Sequence, residues 1–145
     1  MTTAVRTFVD TNVLVYAHDL SETVRRPIAQ ARLEQLWEER AGVISAQVLQ
    51  EFYNVVTRKM KPPMSPRAAR QIISAYAAWP VVSPDAALIV AASVLAERHP
   101  ISFWDALIVE AARRAGARRL LTGDMQAGRR LGGVLVENPF RGGET

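Results

Sequence analysis

Hydrophobic residues along the chain fall into two alternating kinds of segment. Short apolar runs, each ending at Pro, Gly or polar residues, are typical of short buried strands. These runs lie at residues 6–9, 43–44, 80–82, 120–122 and 134–136. Between them the apolar positions recur every three or four residues, which is the spacing of one face of a helix. Strands that alternate with helices predict an α/β protein with a parallel sheet of four to five short strands.

Six periodic segments predict helices, with serine or proline at several of their starts and glycine at two of their ends. They cover about residues 13–17, 27–40, 45–58, 66–76, 84–95 and 102–115. The segment at 84–95 is apolar nearly all round, which predicts a buried helix. Residues 126–131 are predicted to be a short helical or irregular piece. No linker or repeat divides the chain, so we expect one three-layer α/β/α domain over residues 1–140 and a short C-terminal tail at 141–145.

The composition narrows the class of protein. With 145 residues, 49% of them hydrophobic and 22% charged, the chain has the balance of a globular protein rather than a disordered one. Its longest uncharged apolar run, residues 86–96, is shorter than the roughly 20 residues of a membrane span, and residues 1–10 lack a secretory pattern. We therefore expect a soluble cytoplasmic protein. Without Cys, and with only His18 and His99, a Cys/His zinc site of the usual kind is excluded, so any metal here needs oxygen ligands.

Positive charge exceeds negative charge, and arginine supplies most of it. The chain has 18 Lys and Arg against 14 Asp and Glu, a net charge of +4. Only Lys59 and Lys61 are lysines, which leaves 18 − 2 = 16 arginines. Arginine grips phosphate bidentately, so this balance suits a phosphate-rich partner such as nucleic acid. A coding bias of the source explains the same composition, and charge alone does not choose between the two.

Four carboxylates occupy positions where α/β folds place function. Asp10 and Asp124 follow predicted strands, and the carboxyl ends of parallel strands are where open α/β sheets bind ligands. Asp105 lies on the apolar face of its helix, and Glu51 borders such a face. Each acid also has a structural explanation that the sequence leaves open. These are a helix cap for Asp10, a capping box with Ser102 for Asp105, an ion pair with Arg58 for Glu51, and a turn for Asp124.

Convergence of these acids would require a cation. Two carboxylates about 4 Å apart repel by roughly 4 kcal/mol at an effective dielectric of 20. The whole stability of a small domain is only about 5–15 kcal/mol, so a cluster of four acids must bind protons, loosen or hold an ion. Ligands that are all oxygen favour Mg²⁺ or Mn²⁺ over zinc. The sequence thus predicts a divalent metal site, provided that the four segments meet.

Four short motifs carry a resemblance to a known family. They are FVDTNVLVYA at residues 8–17, SAQVLQEFY at 45–53, SFWDA at 102–106 and LTGD at 121–124. In this order they resemble the PIN-domain ribonucleases, and specifically the VapC-type toxins of bacterial toxin–antitoxin pairs. The resemblance runs through nearly the whole chain, and its first and third motifs are the more specific.

The resemblance implies a role for each acid. Asp10, Glu51 and Asp105 match the family's three main acidic positions, and Asp124 matches a more variable fourth. The four are implied to be catalytic and to bind Mg²⁺ or Mn²⁺. Asn12 matches a polar residue of the family that lies near the acids, and we expect it to contact the acids rather than the metal. The PIN-like fold that comes with this resemblance is the three-layer α/β domain that the hydrophobic pattern predicts.

The resemblance also implies an activity and partners. The activity is Mg²⁺- or Mn²⁺-dependent endonucleolytic cleavage of RNA. Our hypothesis for its mechanism is hydrolysis by metal-activated water, in which in-line attack would leave a 5′-phosphate and a 3′-hydroxyl. The partners are RNA, a separate antitoxin protein that covers the cleft, and a second copy of the chain in a homodimer. We expect no interaction with a membrane. Two other functions remain open: a non-catalytic module that binds RNA or a partner, and a haloacid-dehalogenase-like phosphatase with Asp10 as nucleophile. The phosphatase is disfavoured because Asn12 stands where it needs a second acid.

Overall fold

A six-stranded sheet forms the centre of the computed structural model, which describes residues 4–141. The strands are β1 (Thr7–Val9), β2 (Gly42–Ser45), β3 (Val81–Val82), β4 (Arg119–Leu121), β5 (Arg130–Leu131) and β6 (Val134–Glu137). Their order across the sheet is β3-β2-β1-β4-β6-β5. The first five in this order are parallel, and β5 pairs antiparallel with β6 at one edge. The predicted parallel sheet is confirmed, and the antiparallel edge strand is an addition to it.

Helices in two groups complete the α/β fold. They are α1 (Thr11–His18), α2 (Arg25–Glu39), α3 (Ala46–Asn54), α4 (Pro66–Tyr76), α5 (Ala86–Arg98) and α6 (Phe103–Arg114). Helices α1 to α4 pack on one another, whereas α5 packs on α6, which lies against β2, β4 and β6. A single π-helical turn, Val55–Lys59, continues α3. None of the helices in residues 4–141 has the length and apolar character that crossing a bilayer requires. The proposed C-terminal tail falls mostly on residues 142–145, which lie outside the described residues.

Two neighbouring strands in the middle of the sheet position the chemistry. The side chains of Phe8 and Val9 on β1 and of Leu120 and Leu121 on β4 are fully buried. Phe8 pairs with Leu120 and Val9 with Leu121, so β1 and β4 end side by side. Since both strands run in the same direction, the polar residues that follow them emerge at one edge of the sheet.

Glycine explains two local features of the sheet. Gly42 begins β2, where a Cβ atom would lie 2.5 Å from the ring of Trp79, so only glycine fits. The preceding helix ends at Glu39, next to the predicted end at about Arg40, and Arg40 itself adopts the left-handed conformation (φ 54°). At the edge of the sheet formed by β5, Gly132 and Gly133 both have positive φ and form the two-residue turn between β5 and β6. The prediction of a helical or irregular piece at 126–131 is wrong at its end, because β5 lies there.

The prediction that the apolar helix after residue 84 is buried is wrong for the single chain. Leu88, Ala92 and Leu95 face the core, but Val90 is 61% exposed and Ile89 is 46% exposed. Helix α5 lies on the outside of α6 and contacts protein on one side only. An all-round apolar pattern indicates that both sides of a helix avoid water, and it does not say which side is covered by the same chain.

Candidate active site

Asp10 is the most buried acid of the site. It directly follows β1, its N–H donates to the Leu121 carbonyl at 3.0 Å, and it is the N-cap of α1. Only 7% of the residue is exposed. Its carboxylate accepts the Thr11 N–H and the Thr122 hydroxyl, each at 2.8 Å, and the Asn12 amide at 3.4 Å. The predicted helix cap is therefore real, and Asp10 also takes part in a larger polar network.

Thr122 is the centre of that network. This residue is fully buried just beyond β4, and its hydroxyl donates to Asp10. The same oxygen accepts the Asn12 amide at 3.1 Å and the Asp124 N–H at 3.2 Å. A threonine hydroxyl has one hydrogen to donate and two lone pairs, so all its capacity is used. Thr122 thus ties the end of β1 to the end of β4.

Asn12 connects the two acids at the strand ends. Its amide nitrogen donates to the Asp124 carboxylate at 3.1 Å, and its side-chain oxygen accepts the Gly123 N–H at 2.7 Å. Asp124 therefore lies beside Asp10 by way of Asn12 and Thr122. The position agrees with the supporting place that the resemblance gives to Asn12.

Glu51 reaches the site from α3. Its carboxylate accepts the Thr11 hydroxyl at 2.8 Å and the Gln47 amide at 2.9 Å. These bonds replace the surface ion pair with Arg58, so that structural alternative is wrong. Because Thr11 donates its N–H to Asp10 and its hydroxyl to Glu51, one residue bridges the two acids.

Asp105 approaches from α6, on the other group of helices. Its N–H donates to the Ser102 hydroxyl at 3.0 Å, which caps the helix as expected. The side chain is partly buried rather than enclosed in the core. Burial raises the pKa of Asp105, the Ser102 hydroxyl opposes this, and the carboxylates of Asp124 and Glu51 raise the pKa further. Electrostatics therefore links Asp105 to Asp124 and Glu51, although no hydrogen bond in the described residues does.

Burial also dominates the electrostatics of Asp10. It raises the pKa of Asp10 from 3.8 to about 6, with the carboxylates of Glu51 and Asp124 adding to the effect. The hydrogen bonds from Thr122 and Thr11 oppose it. Each of the two acids with raised pKa values thus has Glu51 and Asp124 as negative neighbours. The fold thus brings Asp10, Glu51, Asp105 and Asp124 into one region of the structure.

The donor set suits a hard divalent cation, although the side chains are not arranged around one point. Every acid offers carboxylate oxygens, and mutual repulsion favours binding of positive charge. Among residues 4–141, no three His, Asp or Glu side chains stand close enough together to coordinate an ion as they lie. Carboxylates can raise one another's pKa at distances too long for them to bind one ion together, because Coulomb interaction extends further than a ligand bond. The residues therefore fit Mg²⁺ or Mn²⁺ by chemistry and electrostatics. Asp10 accepts three hydrogen bonds and Glu51 two, so each carboxylate keeps at least one lone pair for a cation.

A cleft of about 410 Å³ opens at this edge of the sheet. Its lining contains two of the acids together with residues from α1, α3 and the π-helical turn: Thr11, Asn12, Val15, Tyr16, Glu51, Asn54, Val55, Lys59 and Asp124. A slightly larger cleft of about 470 Å³ lies near the start of β1, with Arg32 and Arg119 in its walls. Both arginines pair with Glu137, and none of the four candidate acids lines that cleft, so we place the candidate chemistry at the first cleft.

Sequence reasoning assigned no role to three residues that hold the acids: Thr11, Thr122 and Gln47. Thr11 and Thr122 lie within the quoted motifs, so their presence beside Asp10 and Asp124 was the available signal. Gln47 precedes Glu51 by four residues, which is a spacing at which helical side chains meet.

Comparison with known proteins identifies the fold. A family model described as "PIN domain" matches residues 7–130. No curated protein matches the sequence. Solved structures that resemble it include a toxin–antitoxin complex from Klebsiella pneumoniae, with a TM-score of 0.67, 19% identity, and coverage of 92% of this chain and 97% of that chain.

Two further structures have the same fold. VapBC2 from Rickettsia felis, bound to a DNA fragment from its promoter, has a TM-score of 0.62 and 20% identity, covering 91% of this chain and 97% of that chain. VapC20 from Mycobacterium tuberculosis, described as a sarcin-ricin loop cleaving toxin, has a TM-score of 0.59 and 22% identity. It covers 81% of this chain and 91% of that chain.

Proposed function

The chain belongs to the PIN-domain family, and from that premise we propose that it is a metal-dependent endoribonuclease that hydrolyses RNA phosphodiester bonds. The observation that carries the proposal is the hydrogen-bond network through Thr11, Asn12 and Thr122, which joins three acids from distant segments, Asp10, Glu51 and Asp124. The carboxylates of Asp124 and Glu51 also raise the pKa of Asp105, the fourth acid. A polar network this costly to bury is typical of a functional site rather than of a stabilising core. The family match leaves the phosphatase alternative without support.

Asp10 and Asp105 are the residues that would hold the essential ion directly, and Glu51 and Asp124 would complete its surroundings. When bound, Mg²⁺ or Mn²⁺ supplies charge neutralisation at the phosphate and lowers the pKa of water. Thr122 and Thr11 keep Asp10 oriented and favour its ionised form by donating hydrogen bonds to it. No side chain needs to act as the nucleophile.

The chain's own residues favour single-stranded or looped RNA as substrate. The cleft is small and has two acids in its lining, so a strand must bend to bring one phosphate to the acids. A flexible single strand can do this more readily than a duplex. Contacts to the phosphates position such a strand without reading its sequence.

A variant of Asp105 separates cleavage from binding. The Asp105→Asn variant keeps the helix cap, since that cap uses the backbone N–H of residue 105. We expect loss of cleavage of single-stranded RNA with retained RNA binding. Cleavage at the wild-type rate would refute the assignment of Asp105, and absence of cleavage by the wild-type protein with every RNA and ion tested would favour the non-catalytic binding module.

The same proposal includes a role as the toxin of a toxin–antitoxin pair, acting in the cytoplasm. One of the similar structures is described as a toxin–antitoxin complex, and another as a toxin that cleaves the sarcin-ricin loop. A separate antitoxin would cover the cleft, so expression of this chain alone should arrest growth and co-expression of its neighbouring gene product should relieve the arrest. Harmless expression of a cleavage-competent protein would instead indicate an RNA-processing enzyme.

Pairing with a second copy is also part of the proposal. The exposed apolar residues Ile89, Val90 and Val94 on α5 form a surface that a single chain leaves in water. A second copy of the chain that covers this helix would remove the surface from solvent.

A further inference from the structure

The helix that carries Glu51 changes its pitch immediately after that residue's turn. Helix α3 ends at Asn54, and the π-helical turn Val55–Lys59 follows without a break. The Met60 N–H donates to the Val55 carbonyl at 2.9 Å, five residues back instead of four. Single π-helical turns are rare and occur often at functional sites, so the position of this one beside the acids needs an explanation.

The wider turn changes which basic residue faces the cleft. In a regular α-helix, the residues three, four and seven positions after Glu51 share its face, and the last of these is Arg58. The cleft is instead lined by Asn54, Val55 and Lys59, which are three, four and eight positions after Glu51. Because each turn of a π-helix takes in one more residue, Lys59 takes the place that the regular spacing gives to Arg58. Arg58 and Lys59 are both exposed, but only Lys59 is part of the lining.

Lys59 is a cation available to an external anion. Within residues 4–141, the five ion pairs do not include it, so no carboxylate oxygen of that part lies within 4.0 Å of its ammonium group. The nearby acids of the cleft already accept hydrogen bonds from neutral donors: Glu51 from Thr11 and Gln47, and Asp124 from Asn12. An ammonium group on a flexible stem is well suited to bind phosphate as a point charge.

We infer that Lys59 is a positioning residue that binds a phosphate of the RNA strand next to the one at the acids, and that the π-helical turn exists to place it there. The inference rests on the proposed function, because it assigns a subsite of the same cleft. The basic residue in the lining of this cleft is a lysine rather than one of the 16 arginines.

The matched variants Lys59→Gln and Arg58→Gln test this inference, because they remove one positive charge from adjacent positions. Both are made in the Asp105→Asn background, and binding of a fluorescent single-stranded RNA oligonucleotide is measured between about 50 and 200 mM salt. Loss of one phosphate contact on a single strand reduces the slope of log affinity against log salt by about 0.7, which is about fivefold in affinity for each tenfold change in salt. We expect this reduction for Lys59→Gln and an unchanged slope for Arg58→Gln.

Two further measurements separate positioning from a structural role. With Asp105 intact, Lys59→Gln should raise KM several-fold with little change in kcat, and Lys59→Arg should restore KM because it keeps the charge. Thermal unfolding should be the same for the Lys59→Gln and Arg58→Gln proteins. Equal salt slopes for the two Gln variants, or failure of Lys59→Arg to restore KM, would overturn the inference while leaving cleavage by the wild type intact. Absence of both RNA binding and cleavage would overturn it together with the proposed function.

Discussion

Replacement of Asp10 by Asn should stabilise the metal-free protein at neutral pH, although it removes an acid that the proposed reaction needs. The raised pKa of Asp10 means that the folded state binds a proton more tightly than the unfolded state does. Between about pH 4 and pH 6 the folded protein therefore holds more protons, and the free energy of unfolding falls as pH rises. Burial of the ionised carboxylate therefore does not lower the free energy of unfolding below about pH 4, and it lowers that free energy by its full amount above about pH 6.

The magnitude follows from the two pKa values and the hydrogen bonds. The difference between 3.8 and about 6, at about 1.4 kcal/mol for each pH unit, corresponds to about 3 kcal/mol. Asn at residue 10 can still accept the Thr11 N–H, but its amide NH₂ would face the Thr122 hydroxyl, which must turn and give up one acceptor bond. That loss offsets about 1 kcal/mol. The variant should thus be more stable than wild type by about 1–2 kcal/mol near pH 7 and less stable by about 1 kcal/mol near pH 4.

Urea unfolding in excess chelator, for both proteins at both pH values, measures this difference. Asp85→Asn is the matched control, because the hydrogen bond from Leu88 and the contact with Arg114 lower the pKa of Asp85. The effect of Asp85→Asn on stability should have the opposite sign. The variant should be less stable than wild type at neutral pH, and this difference should disappear as the pH falls and Asp85 of the wild type becomes protonated. A difference between wild type and the Asp10 variant that is independent of pH would refute the reasoning.

Three further predictions follow from single contacts. Thr122→Val keeps the shape but removes the hydroxyl that bonds Asp10, so it should lower stability in chelator by about 1–3 kcal/mol, measured by urea unfolding; a change below about 0.5 kcal/mol would contradict this. Gly42→Ala places a Cβ atom against the Trp79 ring and should cost about 1–3 kcal/mol, seen as a lower Tm, whereas an unchanged Tm would show that the ring moves freely. Val90→Lys should leave the stability of the folded chain unchanged but abolish a homodimer in sedimentation; a dimer that persists would exclude this face of α5 as the interface.

The sequence predicts the position of Asp10 and Asp124 well, because their placement depends only on strand direction. A short apolar run that ends at a polar residue is visible in the sequence, and parallel strands bring such ends to one edge. Glu51 and Asp105 are harder, because helix periodicity shows which face a residue occupies but not what lies opposite. The hydrogen bonds that join Thr11 to Glu51 and Thr122 to Asp10 span 40 and 112 residues, beyond any local pattern.

Three features escaped sequence reasoning for different physical reasons. The turn between β5 and β6 has a local sequence signal, the pair Gly132 and Gly133, although the apolar run before it is too short to indicate a strand. The π-helical turn was not visible, because one displaced hydrogen bond leaves no trace in residue type. The exposure of α5 in the single chain was also not visible, because an apolar pattern does not show which side of a helix the same chain covers.

Cleavage of RNA before and after removal of divalent ions tests the central claim most directly. The purified protein is incubated with mixed cellular RNA in excess chelator, then with Mg²⁺ or Mn²⁺ restored, and new 5′ ends are sequenced. We expect no new ends in chelator, new ends after either ion is restored, and none at any stage for Asp105→Asn. Cleavage that continues in excess chelator would contradict a metal site built from Asp10, Glu51, Asp105 and Asp124.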